Sequence, residues 1–156
     1  MALRLALIGA VMMIAAACTT PKECRIAKNV LVMPPDYSVE AGGVEEFGSD
    51  LHETFRTKLE NQFGEYDFSF GYESEDADLI IRSVIVSYAG PKSDGAEQKL
   101  GLSGTGNIEY SIRVFSGDGK FLRETYIMKD MKSGSRDFVI DSLTDDALTF
   151  VRKKCF

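Results

Sequence analysis

Asp78 to Tyr88 reads DLIIRSVIVSY, a β-branched run long enough to cross a small domain as a single strand. Downstream, Asn107 to Phe115 (NIEYSIRVF) alternates strictly, with Ile108, Tyr110, Ile112 and Val114 on one face and Glu109, Ser111 and Arg113 on the other. Such a strand has one face covered and one face wet. Ser116-Gly117-Asp118-Gly119 then offers an Asp-Gly pair suited to a tight hairpin, so Phe121 to Lys129 is expected to return beside it. Upstream lie Tyr66 to Phe70 (YDFSF), which alternates aromatic with polar, and Asn29 to Met33 (NVLVM), which Pro34-Pro35 ends.

Two amphipathic helices flank these strands. Val44, Phe47, Leu51, Phe55 and Leu59 recur at spacings of three and four with acidic and basic residues between them, and Gly64 suits the stop. From about Phe138 to Lys154, Ile140, Leu143, Ala147, Phe150 and Val151 form a second inward face. The cations Arg152, Lys153 and Lys154 complement the negative end of that helix. The order β-α-β-β-β-β-α predicts an α+β domain: a mainly antiparallel sheet with both helices packed on one face, and a first strand parallel to its neighbour through a crossover.

At the N-terminus Arg4 precedes an apolar run, Leu5 to Ala17, that ends in Ala-Ala-Ala before Cys18. This is the layout of a secretory signal. As a helix the run reaches about 20 Å, short of the roughly 30 Å hydrocarbon core, so removal is expected rather than a permanent span. Ala15 to Cys18 resembles a lipobox, which implies a diacylglycerol on the Cys18 sulfur. Ala15 stands where leucine is commonest in that motif, and the alternative is cleavage after Ala17 that leaves a free thiol. The expected organisation is a signal peptide at 1–17, a lipid-anchored linker at 18–23 and one α+β periplasmic domain at 24–156. By the sorting pattern of such lipoproteins, Thr19 implies export to the outer membrane, with the domain on its periplasmic face.

Cutting 17 of 156 residues leaves 139, one domain's worth. Because Arg4 is lost, the formal charge moves from −6 to about −7. That balance makes nucleic acid a poor partner and leaves the acyl chains as the membrane contact. With Cys18 lipidated, Cys24 and Cys155 form an even set in an oxidising compartment and are expected to pair; the alternative is two separate buried thiols. The bridge would close a loop of about 130 residues and contribute at most ~5 kcal/mol in the chain-entropy model. Only Thr19 to Glu23 would separate lipid from bridge, a reach of about 20 Å, which keeps the domain close to the membrane.

Most residues that invite chemistry have plainer readings. Gly101, Gly104 and Gly106 lead into a strand rather than a helix N-terminus, so the anion site of a phosphate loop is missing. His52 is the only histidine and lies on a helix flank. Glu73, Glu75, Asp76 and Asp78 lack the ligand spacing of an EF-hand and read as a solvated turn. Tyr66, Phe68, Phe70 and Tyr72 read as core residues of an alternating strand, with a docking patch as the alternative. No acid, base and nucleophile set can be named, so no enzymatic activity, cofactor or metal is expected. Ala89 to Gly104 (AGPKSDGAEQKLGLSG) shows no sustained period and reads as a hairpin extension, with Lys92, Lys99, Leu100 and Leu102 as candidate partner contacts.

A cysteine after a signal, NVLVMPP, a helix, DADLIIRSVIVSY, a glycine-rich connection and a strand pair turned at SGDGK together resemble small outer-membrane lipoproteins of secretion and envelope assembly. In layout the likeness is to the fold shared by the curli-secretion and Pel-polysaccharide-secretion lipoproteins, over most of the mature chain. It implies a non-enzymatic part that forms a homo-oligomer or docks on an envelope complex for secretion, transport or surface assembly. No functional residue carries over. A ligand-binding or transport-auxiliary lipoprotein for a lipid or small apolar molecule is the second expectation, and it requires a cavity between sheet and helices.

Overall fold

A computed structural model describes residues 21–89, 106–131 and 136–155. The described elements run α1 (Lys22–Ile26), β1 (Asn29–Val32), β2 (Asp36–Tyr37), α2 (Val44–Gln62), β3 (Asp67–Phe70), β4 (Leu79–Tyr88), β5 (Gly106–Ser116), β6 (Phe121–Met131) and α3 (Arg136–Lys154). All strands join one sheet in the order β3-β1-β4-β5-β6, with β2 also paired to β4.

The sheet is mixed. β4, β5 and β6 form a long antiparallel meander, as the alternation in NIEYSIRVF predicts. β1, however, lies between β3 and β4 and is parallel to both, and β2 is parallel to β4. The expected first strand, parallel to its neighbour through a crossover, is found, and the expectation of a mainly antiparallel sheet is corrected on that side by the further parallel pairings of β1 and β2 with β4. The physical reason is the connection: α2 returns the chain to the starting end of β1, so β3 must set out in the same direction. Pro34-Pro35 interrupts the first strand, and the chain then rejoins the same edge of β4 as β2, with Tyr37 opposite Ile85. Two elements have no counterpart in the sequence reading. α1 is only five residues and β2 only two, too short for either period to register.

Both long helices cover one face. Val44, Phe47, Leu51, Phe55 and Leu59 of α2 are buried, as are Ile140, Leu143, Ala147 and Val151 of α3. They meet Val30, Val32, Ile81, Ile108, Tyr110, Ile112 and Val114 in a single cluster. Phe150 is only partly buried and Phe138 is 73% exposed, so the α3 face begins at Val139. Tyr110 is fully enclosed, and burial raises its hydroxyl to about 12. Lys58 on α2 bridges to Asp141 and Asp145 on α3, both at 2.7 Å, which ties the helices outside the core.

Strand direction sorts the molecule into two ends. At one end β1 and β3 begin beside the start of β4, the β5–β6 turn and the C-termini of α2 and α3. At the other end lie the β2–α2 connection, Tyr72, Tyr88, Gly106 and the start of α3. α1 belongs to the first end.

Candidate interaction surface

Among the described residues, the face of the sheet away from the helices carries exposed side chains at its β5–β6 margin. Glu124, Tyr126 and Met128 oppose Arg113, Ser111 and Glu109 across the pair and point away from the helices. Phe121 reaches the same side past an irregularity in the pairing, and its ring meets Phe115 edge-on at 5.8 Å. Phe121 and Tyr126 are each 54% exposed and Met128 is 68% exposed. Exposed aromatic and methionine side chains in a row on one strand are the kind of apolar surface that marks contact sites.

Charge is organised around that row. Arg113 Nε meets Glu124 Oε1 at 2.6 Å, and Ser111 Oγ donates to the same oxygen at 2.9 Å. The hydrogen bond from Arg113, with that from Ser111, holds the Glu124 carboxyl below its usual range, against the opposing effect of burial. Glu124 and then Tyr126 raise the Arg113 guanidinium in turn. Arg82 lies 5.3 Å over the Phe115 ring. These contacts fix a polar lattice in which the Tyr126 hydroxyl takes part while its ring stays half exposed, and from which Met128 stands out. Among the described residues β6 is also the last strand of the sheet, and an edge of eleven residues is a template for pairing with another chain.

Sequence reasoning named the strand and not this surface. The available signal was that both alternating faces of FLRETYIMKDM carry apolar residues, whereas a strand with one wet face needs them only on the other.

The residues singled out from sequence are placed as follows in the fold. Cys24 and Cys155 are joined, with Sγ atoms 2.09 Å apart and Cα atoms 4.6 Å apart. Tyr66, Phe68 and Phe70 pack partly buried against the core, and Tyr72 is 70% exposed. His52 is half-buried with its ring edge-on to Phe70, and burial lowers its pKa. Asp78 accepts from the backbone N–H groups of Lys28 and Asn29. Cys18, Lys92, Lys99, Leu100, Leu102, Gly101 and Gly104 lie outside the described residues.

Open depressions occur on the described surface. One, of about 590 Å³, lies at Tyr37 and the loop from Val39 into α2. Another, of about 510 Å³, runs between α2 and α3 past Asp50, Glu53, Asp137 and Asp141. Between the layers, Phe47, Leu51, Phe55 and Tyr110 fill the space. No group of three or more metal-ligating side chains occurs among the described residues.

This arrangement is similar to solved structures. A PelC dodecamer from Paraburkholderia phytofirmans superposes at TM-score 0.54 with 13% identity, over 78% of this chain and 84% of that one. The chain shares its fold with PelC. A point variant of the same PelC dodecamer gives 0.55 with 15% identity, over 78% and 86% of the two chains. A crystal structure of an uncharacterised protein also gives 0.55, with 9% identity over 81% and 91%. The order of elements read from the sequence and the folded arrangement therefore agree in this fold. No protein-family model matches the chain. No curated protein matches it.

Proposed function

We propose that the chain is a non-enzymatic, lipid-anchored protein of the bacterial envelope that works as a self-assembling part of a secretion, transport or surface-assembly complex. The observation that carries this reading is the exposed pair Tyr126 and Met128 on the last described strand of a PelC-like fold. PelC is described as a dodecamer, and a neighbouring copy is the occupant that would cover the pair and extend the sheet edge. The anchor is Cys18 on the periplasmic face of the outer membrane, supported by the apolar run and Ala-Ala-Ala-Cys. The ligand-carrier reading draws no support from the described residues, whose interlayer space is occupied by aromatic and aliphatic side chains.

The test is crosslinking in intact cells, with the parent compared with a double variant, Tyr126→Glu with Met128→Lys. Both positions are more than half exposed, so folding survives the change. The parent is expected to give a ladder ending in one discrete species and the variant to lose it. A parent that stays monomeric in membranes, with no crosslinked partner, would remove the proposal.

A further inference from the structure

The placement of α1 determines which end of the domain faces the bilayer. Cys24 is buried and bonded to Cys155 at the end of α3. Glu23 pairs with Lys120 in the β5–β6 turn at 2.9 Å. Lys28, two residues past the helix, is held through its N–H by Asp78. Three attachments on three elements prevent α1 from swinging. With about 100° per residue, Lys22 and Ile26 lie nearly opposite Cys24 and so face directly away from the body. Ile26 is indeed 68% exposed.

On the anchor reading above, four residues lead from Cys18 to Lys22, a reach of at most about 14 Å. A lipid surface must then lie within that distance of the outward face of α1. The chemistry suits it. Lys22, Arg25 and Lys28 are exposed cations in a chain of net charge −6, and the one acid in α1, Glu23, is already neutralised by Lys120. Phe121, adjacent to Lys120, adds a half-exposed aromatic ring at the same end. An apolar residue flanked by cations is the composition that settles at the headgroup boundary.

We propose that the α1 end rests on the phospholipid surface, with Ile26 and Phe121 at the headgroup level and Lys22, Arg25 and Lys28 against lipid phosphates. The opposite end then points into the periplasm. The inference rests on the anchor at Cys18, and the test separates the two.

The chain has no tryptophan, so single-tryptophan variants report cleanly. Acylated protein carrying Ile26→Trp, Phe121→Trp or Phe138→Trp is placed in phosphatidylethanolamine and phosphatidylglycerol vesicles with brominated acyl chains. Phe138 is an exposed control about 25 Å along α3 from Cys155. Strong quenching and a blue shift at Ile26→Trp and Phe121→Trp, with little change at Phe138→Trp, is the expected result. Protein that floats with the vesicles but is quenched at Phe138→Trp as much as at Ile26→Trp would overturn the orientation and leave the anchor standing. Protein that does not float would overturn the anchor and this inference with it.

Discussion

The two ends of the sheet are built from the same strands and are finished differently. At the α1 end, short polar contacts stitch separate segments together. Asp78 bonds two backbone N–H groups, Gly117 N–H donates to the Asp78 carbonyl at 2.8 Å, Arg152 donates to Gln62 at 2.7 Å, and a disulfide links the first helix to the last. At the opposite end, the Tyr37 hydroxyl reaches the Glu45 carbonyl at only 3.4 Å, and the connection into α2 borders an open depression. The difference teaches where this fold spends its order. Among the described residues a covalent link and backbone-directed hydrogen bonds gather at the α1 end, whereas the opposite end is joined by side chains, with Arg136 of α3 paired to Asp50 and Glu46 of α2.

The largest effect comes from cutting the stitch itself. Cys24→Ser with Cys155→Ser is expected to cost about 2–5 kcal/mol, read as a lower urea midpoint, because the unfolded chain regains the freedom of a long loop. A midpoint unchanged by this double variant, or by reduction of the parent, would erase the asymmetry.

A matched pair of glycines sharpens it. A Cβ on Gly117 would collide with the Ala77 backbone carbonyl, which cannot move without shifting the start of β4, so Gly117→Ala is expected to cost about 1–3 kcal/mol. A Cβ on Gly48 would meet the ring and hydroxyl of Tyr37, a side chain already 40% exposed that can swing aside. Alanine is also the better helix former, so Gly48→Ala should fall within about 1 kcal/mol of the parent. Equal losses at both positions would mean that the ends are equally rigid.

Smaller effects follow from titration. The N–H groups of Asn29 and then Lys28 hold the Asp78 carboxyl below its usual 3.8. Its stabilisation is therefore fully present above that value and lost as pH falls through the lower folded value. Because the group is solvent-exposed, Asp78→Ala should cost only about 1–2 kcal/mol at neutral pH and flatten the acid limb of the stability curve. The smallest effect belongs to His52, whose folded pKa burial depresses below 6.5. The neutral ring is favoured in the fold, so stability is complete above about 6.5 and declines as pH falls toward the folded value. His52 is the only histidine, and His52→Gln should remove that component alone.

The sequence made the helical layer legible because its period is strong. Every inward position read on α2 is buried, and on α3 only Phe150 stays partly open. The meander was equally legible from Ile108, Tyr110, Ile112 and Val114, and the PelC-like layout was visible in the order of elements. The parallel pairing of the first strand across its helical crossover was legible too, but the place of β1 between β3 and β4 and the parallel pairing of β2 with β4 were not. β1 and β3 are four residues each, and nothing in NVLV or DFSF states which neighbour accepts their hydrogen bonds. The surface on β6 was hidden for another reason. Tyr126 and Met128 are apolar residues on the wet side of a strand whose partner, β5, is polar there, and only the register between strands assigns their side.

The central claim is that acylated chains assemble with one another, and native mass spectrometry of full-length protein released from membranes in detergent tests it most directly. The account predicts a single oligomer whose subunits each begin at Cys18, carry the mass of attached acyl chains and lose two hydrogens to the Cys24 to Cys155 bridge. A monomer without acyl mass would contradict it.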